Sequence, residues 1–349
     1  MKREALLYDR LDGTTVRCRV CQWECRIADG KLGACRTRVN EGGTLYTLLY
    51  GEASSVNVDP IEKKPLFHFY PGSQVFSLGT WGCNFRCRHC QNWQISYARP
   101  GERGWVVQGE YQGRGQTITP RETVSLAKRY GCRGIAWTYN EPGIWLEQTL
   151  ETAQLAREAG LYTVYVTNGY ISRESLDLIG PFLDCYRVDI KGFTDRAYRD
   201  LARVVRWRGI LDSAERARHR WGMHVEVVTN VVPTVNDDDE QLTSIAMWIR
   251  DSLGPETPWH VTRFFPHAEM SHLAPTPVQT LLRARKIGIE TGLQFVYVGN
   301  VAIRGTEDTI CPSCHQRVIL RFGYHTNLEG VASGGYCRHC GAALNLRGC

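Results

Sequence analysis

Cysteine placement constrains this chain most. Its 349 residues hold 14 cysteines, and eleven of them fall into three tight groups. These are Cys18, Cys21, Cys25 and Cys35; Cys83, Cys87 and Cys90; and Cys311, Cys314, Cys337 and Cys340. Metal ligands are spaced this way, because thiolates a few residues apart can face one point. A disulfide framework needs an oxidising compartment. The opening Met1-Lys-Arg-Glu-Ala-Leu-Leu-Tyr-Asp-Arg carries charges where a secretion signal needs an apolar core, so we expect a cytoplasmic protein. The remaining Cys132, Cys185 and Cys349 read as unligated thiols, which pack as small hydrophobes when buried.

Nothing approaches the roughly 18 uninterrupted apolar residues of a membrane span. The net charge of +6 is mild, and its most visible source is Arg199–Arg220, with seven arginines against Asp200, Asp212 and Glu215. That stretch reads as a solvated helical face, with a dock for an acidic partner as the alternative. No aromatic residues interleave a basic stripe, which argues against nucleic acid.

Three segments follow. Residues 1–71 read as a cysteine module, a strand-like stretch at Thr44–Tyr50 and an extended lead-in, Asp59-Pro-Ile-Glu-Lys-Lys-Pro-Leu-Phe-His-Phe, whose prolines oppose a helix. Residues 72–305 alternate β-branched runs with amphipathic helices. Strands are expected at Val75–Leu78, Gly134–Thr138, Tyr162–Thr167, Cys185–Asp189, His224–Val228 and His260–Phe264. Thr119-Pro-Arg-Glu122 and Thr276-Pro-Val-Gln279 read as capping boxes, and Gly131 and Gly160 as left-handed helix ends. Six strands each followed by a helix predict right-handed crossovers and a parallel α/β sheet, barrel-like or doubly wound, with chemistry at the carboxyl ends of the strands. Residues 306–349 are short, polar and bracketed by cysteine pairs.

Cys83-Asn-Phe-Arg-Cys87-Arg-His-Cys90 directly follows the first of those strands. Three thiolates on one loop can hold a [4Fe–4S] cube that needs four ligands, leaving one iron open. An open iron can chelate the amino and carboxylate groups of a methionine and pass an electron to its sulfonium. The alternative is a zinc knuckle borrowing His89, but zinc sites favour paired C-x2-C spacing, which this loop lacks.

The CxxxCxxC loop after a first strand resembles the radical S-adenosylmethionine (SAM) superfamily, whose fold is a partial (β/α)6 barrel. Over nearly the whole chain the sequence resembles the radical SAM member of the AmmeMemoRadiSam system, a group related to pyruvate formate-lyase activating enzymes. The resemblance is carried by Cys25-Arg-Ile-Ala-Asp-Gly-Lys-Leu-Gly-Ala-Cys35, Asp59–Phe69, Gly82–Trp93, Thr138-Tyr-Asn-Glu-Pro142, Thr167-Asn-Gly-Tyr170, Val188-Asp-Ile-Lys191, Trp259–Pro266 and the terminal cysteine pairs. It implies reductive cleavage of SAM to methionine and a 5′-deoxyadenosyl radical, with Cys83, Cys87, Cys90 and Glu141 at the centre of the chemistry.

The same resemblance places His89 where relatives put an aromatic against adenine. It assigns Glu141 to the SAM ammonium, which a carboxylate suits. Thr138, Tyr139 and Asn140 replace the usual small residues and make a bulkier wall, with Asn140 bordering the cofactor. Thr167 and Asn168 are expected at the ribose or methionine moiety. Asp189 and Lys191 are expected near the SAM carboxylate, where relatives also hold a monovalent cation. His260 aligns with a SAM-contacting histidine, and Arg263 lies three residues beyond it in the same strand.

Cys311-Pro-Ser-Cys314 and Cys337-Arg-His-Cys340 read as the two knuckles of a zinc ribbon, with a single rubredoxin-type iron as the alternative. For Cys18, Cys21, Cys25 and Cys35 two assignments compete: a structural zinc, which the half-ribbon spacing of Cys18 and Cys21 favours, or an auxiliary iron–sulfur cluster. The expected partners are SAM, an electron donor such as flavodoxin or ferredoxin, and Memo-like proteins. The activity expected is radical SAM chemistry on an unidentified substrate, or activation of a glycyl-radical enzyme. A non-catalytic metal-binding module is a third class, which the four matched strand ends oppose.

Overall fold

The structure, a computed structural model, describes residues 2–349. Its centre is one eight-stranded sheet. Six of its strands, Gln74–Gly79, Gly134–Trp137, Tyr162–Thr167, Cys185–Asp189, His224–Val231 and Trp259–Arg263, are those expected from the sequence. All pair in parallel in chain order. Helices Pro120–Arg129, Leu146–Glu158, Arg173–Ile179, Gly209–His219 and Asp239–Trp248 link them. This is the α/β partial-barrel fold.

Two further strands extend it. Val296–Gly299 continues the parallel order after helix Val278–Glu290. Ser55–Pro60 runs antiparallel along Gln74–Gly79, so the cysteine module's exit already belongs to the sheet. Among the described residues no helix is long and apolar enough to cross a membrane.

The sheet has two apolar faces because parallel strands are covered on both sides. Outward residues such as Leu78, Ile135, Trp137, Tyr165 and Val227 pack in the main core with the helices. Inward, Val75, Ala136, Tyr162, Val164 and Cys185 bury against Ile61, Leu66 and Phe69 of the lead-in. The lead-in therefore plugs the barrel floor. Gly134 is required there, since a Cβ would collide with the Tyr162 ring.

Thr119 and Glu122 form the expected capping box. The second one does not form. The Thr276 hydroxyl instead accepts from Phe264 N–H (2.9 Å) and donates to Val231 O (2.6 Å), tying two strands together. Helix Val278–Glu290 thus begins after Pro277 without a side-chain cap. A three-stranded hairpin, Arg99–Gly113, follows the cysteine loop and has no counterpart in the sequence reading. The carboxyl-terminal ribbon packs its own small core of Cys311, Val318, Ile319, Val331, Cys337, Leu344 and Leu346.

Candidate active site

The cysteine loop leaves the carboxyl end of strand Gln74–Gly79, and Asn140 staples the exit. Its side chain accepts from Thr80 N–H (3.1 Å) and donates to Gly82 O (2.6 Å). Gly82 has φ +77° and sits against the amino-terminal module, where a Cβ would lie 2.8 Å from Cys35 O. Cys83 Sγ accepts from Phe85 N–H at 3.4 Å, and the Tyr97 hydroxyl donates to Cys87 O at 2.7 Å. Ser96 and the Asn92 backbone donate to Cys90.

Burial pushes the Cys87 thiol up to about 12 and raises Cys83 and Cys90, and the neighbouring sulfurs reinforce the rise at Cys83 and Cys87. Three half-buried thiols, two of them with sulfur-directed donors, lack only the positive charge that would let them ionise. An iron–sulfur cluster supplies that charge, so the residues fit the group.

Glu141 lies just beyond strand Gly134–Trp137 and is buried. It accepts from Gly143 N–H (2.9 Å), Asn168 N–H (2.8 Å) and the Thr167 hydroxyl (2.8 and 3.0 Å). Three donor hydrogens meet about four lone-pair sites, leaving one acceptor position. Burial raises its carboxyl to about 7. Asn168 Nδ2 donates to Asn84 Oδ1 at 2.9 Å, within the cysteine loop.

Asp189 is held by Arg187 on one oxygen and by Lys191 on the other at 2.9 Å. Burial opposes its charge, but these two cations hold it down to about 2. Both oxygens are thus covered by protein cations at the place where a monovalent ion was expected. Lys191 also sits in the field of Cys87. His89 is buried, burial drops it to about 3, and its Nδ1 has no partner. A neutral, orphaned ring nitrogen beside the loop suits a donor such as an adenine amine.

The structure groups His260 differently. Its Nε2 bonds Glu226 at 2.7 Å, and its ring stacks on Tyr297 (5.2 Å) and meets Phe67 edge-on (4.8 Å). Glu226 also takes His224 (3.0 Å) and the N–H groups of Phe67 (3.0 Å) and His68 (2.8 Å). His260 therefore anchors the lead-in beneath the site, and none of its partners belongs to the cysteine loop. Arg263 donates to Thr276 O at 2.9 Å. Sequence reasoning missed Glu226, although a lone carboxylate inside His224-Val-Glu-Val-Val signals it. It also missed Asp59, which Lys63 (2.8 Å), Lys64 (2.5 Å) and the Tyr139 hydroxyl (2.6 Å) hold.

Among the described residues, one ligand set closes to single-ion dimensions: Cys311, Cys314, Cys337 and Cys340, within 4.8 Å of one another. Neither Cys83, Cys87 and Cys90 nor the amino-terminal four cysteines do so.

Residues 79–244 match the Radical SAM superfamily. Over 345 residues the chain is 40% identical to an uncharacterized protein of Methanocaldococcus jannaschii, covering 99% of each. The chain belongs to the radical SAM superfamily. A putative glycyl-radical enzyme activating enzyme of the same organism is 21% identical over 233 residues, 66% of this chain and 80% of that one. Among solved structures, a domain of pyruvate-formate lyase-activating enzyme from Bacteroides vulgatus aligns with TM-score 0.40 and 14% identity, covering 48% of this chain and 99% of that one. QueE from Escherichia coli aligns with TM-score 0.46 and 13% identity, covering 72% and 94%. Membership implies a radical SAM enzyme, with the cysteine loop inside the matched span.

Proposed function

We propose that Cys83, Cys87 and Cys90 hold a [4Fe–4S] cluster and that SAM lies across the ends of the next three strands. The convergence of Glu141, Asn168 and Lys191 on the cysteine loop supports this reading most. When bound, the cluster supplies the electron that cleaves SAM to methionine and a 5′-deoxyadenosyl radical, which takes hydrogen from the substrate. The spare acceptor position of Glu141 receives the SAM ammonium, and Thr167 and Asn168 fix that carboxylate in place. Lys191, oriented by Asp189, faces the SAM carboxylate. His89 Nδ1 accepts from adenine. His260, through Glu226, holds the floor on which the substrate side of the barrel rests.

The ribbon holds zinc in this reading. Its sulfurs pair at 3.6 Å (Cys311 and Cys340) and 3.7 Å (Cys314 and Cys337). Bonds of about 2.3 Å in a ZnS4 tetrahedron require edges of about 3.8 Å.

The electron donor is an acidic carrier such as flavodoxin or ferredoxin. Arg36, Arg86, Arg99 and Tyr97 line a cleft of about 130 Å³ beside the loop. Burial and the fields of Arg86 and Arg99 depress Arg36, which marks uncompensated positive charge. Charge complementarity of this kind speeds association with an acidic partner.

We assign the enzyme to the AmmeMemoRadiSam system, with Memo-like partners and an unidentified substrate. A second reading, activation of a glycyl-radical enzyme, is favoured by the 21% identical relative of that description. Anaerobic reconstitution with dithionite and SAM should release 5′-deoxyadenosine. Its absence would overturn the radical reading. A glycyl radical raised by electron paramagnetic resonance in a co-incubated glycyl-radical enzyme would favour the second.

A further inference from the structure

The amino-terminal thiols are built for a metal, yet their spacing is not the ribbon's. Cys18, Cys21 and Cys35 are buried and Cys25 is half-buried, and all are free. Every sulfur receives a donor. Ala34 N–H reaches Cys25 at 3.4 Å and the Thr37 hydroxyl reaches Cys35 at 3.2 Å. The Val20 and Trp23 backbones serve Cys18 and Cys21. Hydrogen bonds to sulfur are a standard support for metal-bound thiolates.

The four lie within one another's electrostatic reach, but no three of them close to within 4.8 Å. A single tetrahedral ion needs sulfur edges of about 3.8 Å. In a cubane each thiolate caps a different iron, so the sulfurs stand apart around an inorganic core. Cys83, Cys87 and Cys90 likewise form no such closed set.

An independent observation is Arg38. It is 1% exposed, and its Nε has no partner although its other nitrogens bond Glu147. The guanidinium lies in the fields of Cys18 and Cys35. Glu147 balances its charge, but the buried, unpartnered Nε–H beside Cys18 and Cys35 is a spare donor suited to an anionic metal–thiolate centre. The module also abuts the cysteine loop: Trp23 Nε1 donates to Asn84 O at 2.7 Å, beside Cys83.

We propose that Cys18, Cys21, Cys25 and Cys35 hold a second [4Fe–4S] cluster next to the first. The full chain, reconstituted anaerobically with iron and sulfide, should carry about eight irons and one zinc. C83A/C87A/C90A should retain about four irons and the resonance of a reduced [4Fe–4S] centre. C25A, at the half-buried position, should drop the otherwise intact chain to about four irons while zinc stays constant. An iron-free triple variant carrying a second zinc would overturn the proposal, as would C25A retaining the full iron content. If the triple variant does not fold, the C25A comparison decides alone. Wild-type protein with about four irons, lost in C25A and kept in the triple variant, would instead sink the assignment of the barrel cluster and uphold this one.

Discussion

At the carboxyl end, four thiols close in pairs at 3.6 and 3.7 Å around a core of a few small apolar side chains. At the amino end, four thiols stay apart, and the segment around them leans on the barrel. Gln22 Nε2 donates to Ile171 O (2.9 Å) and Gly209 O (2.8 Å), and the Ser175 hydroxyl donates to Val20 O at 2.8 Å. The buried Arg38–Glu147 pair, at 2.7 Å, locks the module to helix Leu146–Glu158. A core as small as the ribbon's needs metal to hold its fold. The amino-terminal module draws its stability from burial against a larger body. Under the proposed assignments, equal cysteine counts would serve different ends, folding in one module and chemistry beside the cysteine loop in the other.

The loop between the modules sets the scale for testing this contrast. C83A/C87A/C90A should abolish 5′-deoxyadenosine formation, measured by chromatography under dithionite, whereas Cys132→Ala should leave it unchanged. Next in size is Cys314→Ser. Structural zinc supplies on the order of 10–16 kcal/mol in comparable sites, so hydrogen exchange across residues 309–337 should become fast while residues 16–47 stay protected. Persistent ribbon protection would break the contrast.

Glu147→Ala probes the other side. It strands a buried guanidinium, and losses of this kind run to about 3–5 kcal/mol. Denaturant unfolding should report that loss, and ribbon zinc content should not move.

Glu141→Gln should weaken SAM binding by about 1–3 kcal/mol in calorimetry, since a neutral acceptor replaces a charged one. The wild type adds a pH test. Burial raises the Glu141 carboxyl from 4.5 to about 7, so the folded chain keeps a proton that the unfolded chain has already lost. Its stabilising contribution is full below pH 4.5 and drains away as pH rises to about 7. SAM affinity should run the other way, rising through that interval as the carboxylate ionises. A flat affinity profile would remove Glu141 from the ammonium. The smallest effect is expected at Arg86→Glu, a several-fold slower reduction by flavodoxin at low salt that vanishes at high salt.

The parallel strands were legible because burial on both faces leaves uninterrupted apolar runs such as Gly134-Ile-Ala-Trp137. Strand Ser55–Pro60 was hidden by its polar alternation and by Pro60, which lacks an N–H and is tolerated only at an edge. The position of the cysteine loop and of Glu141, Asn168 and Asp189 at strand ends could be read because each lies close in sequence to a strand. The His260 environment could not. Its partner Glu226 is shared with backbone groups of Phe67 and His68, more than 150 residues away, as their separations of 159 and 158 record. Thr276 misled for a related reason: a hydroxyl suited to a local cap was engaged by two neighbouring strands.

The ribbon's outer turn touches the barrel floor directly. His68 Nδ1 meets Leu344 O at 2.9 Å across a separation of 276 residues, and Arg347 exchanges hydrogen bonds of 2.8 Å with His68 and Tyr70. Arg321 adds a 2.7 Å bond to Phe67 O. At translation rates of about 5–20 residues per second, the lead-in waits on the order of tens of seconds for these partners. The last barrel strand ends at Gly299, so a completed barrel with its lead-in already seated waits only about 45 residues, a few seconds of synthesis, for the ribbon contacts at Leu344. With the ribbon metal proposed above, metal supply would decide when these contacts form, making the last step of maturation a metal-dependent one far from the cysteine loop.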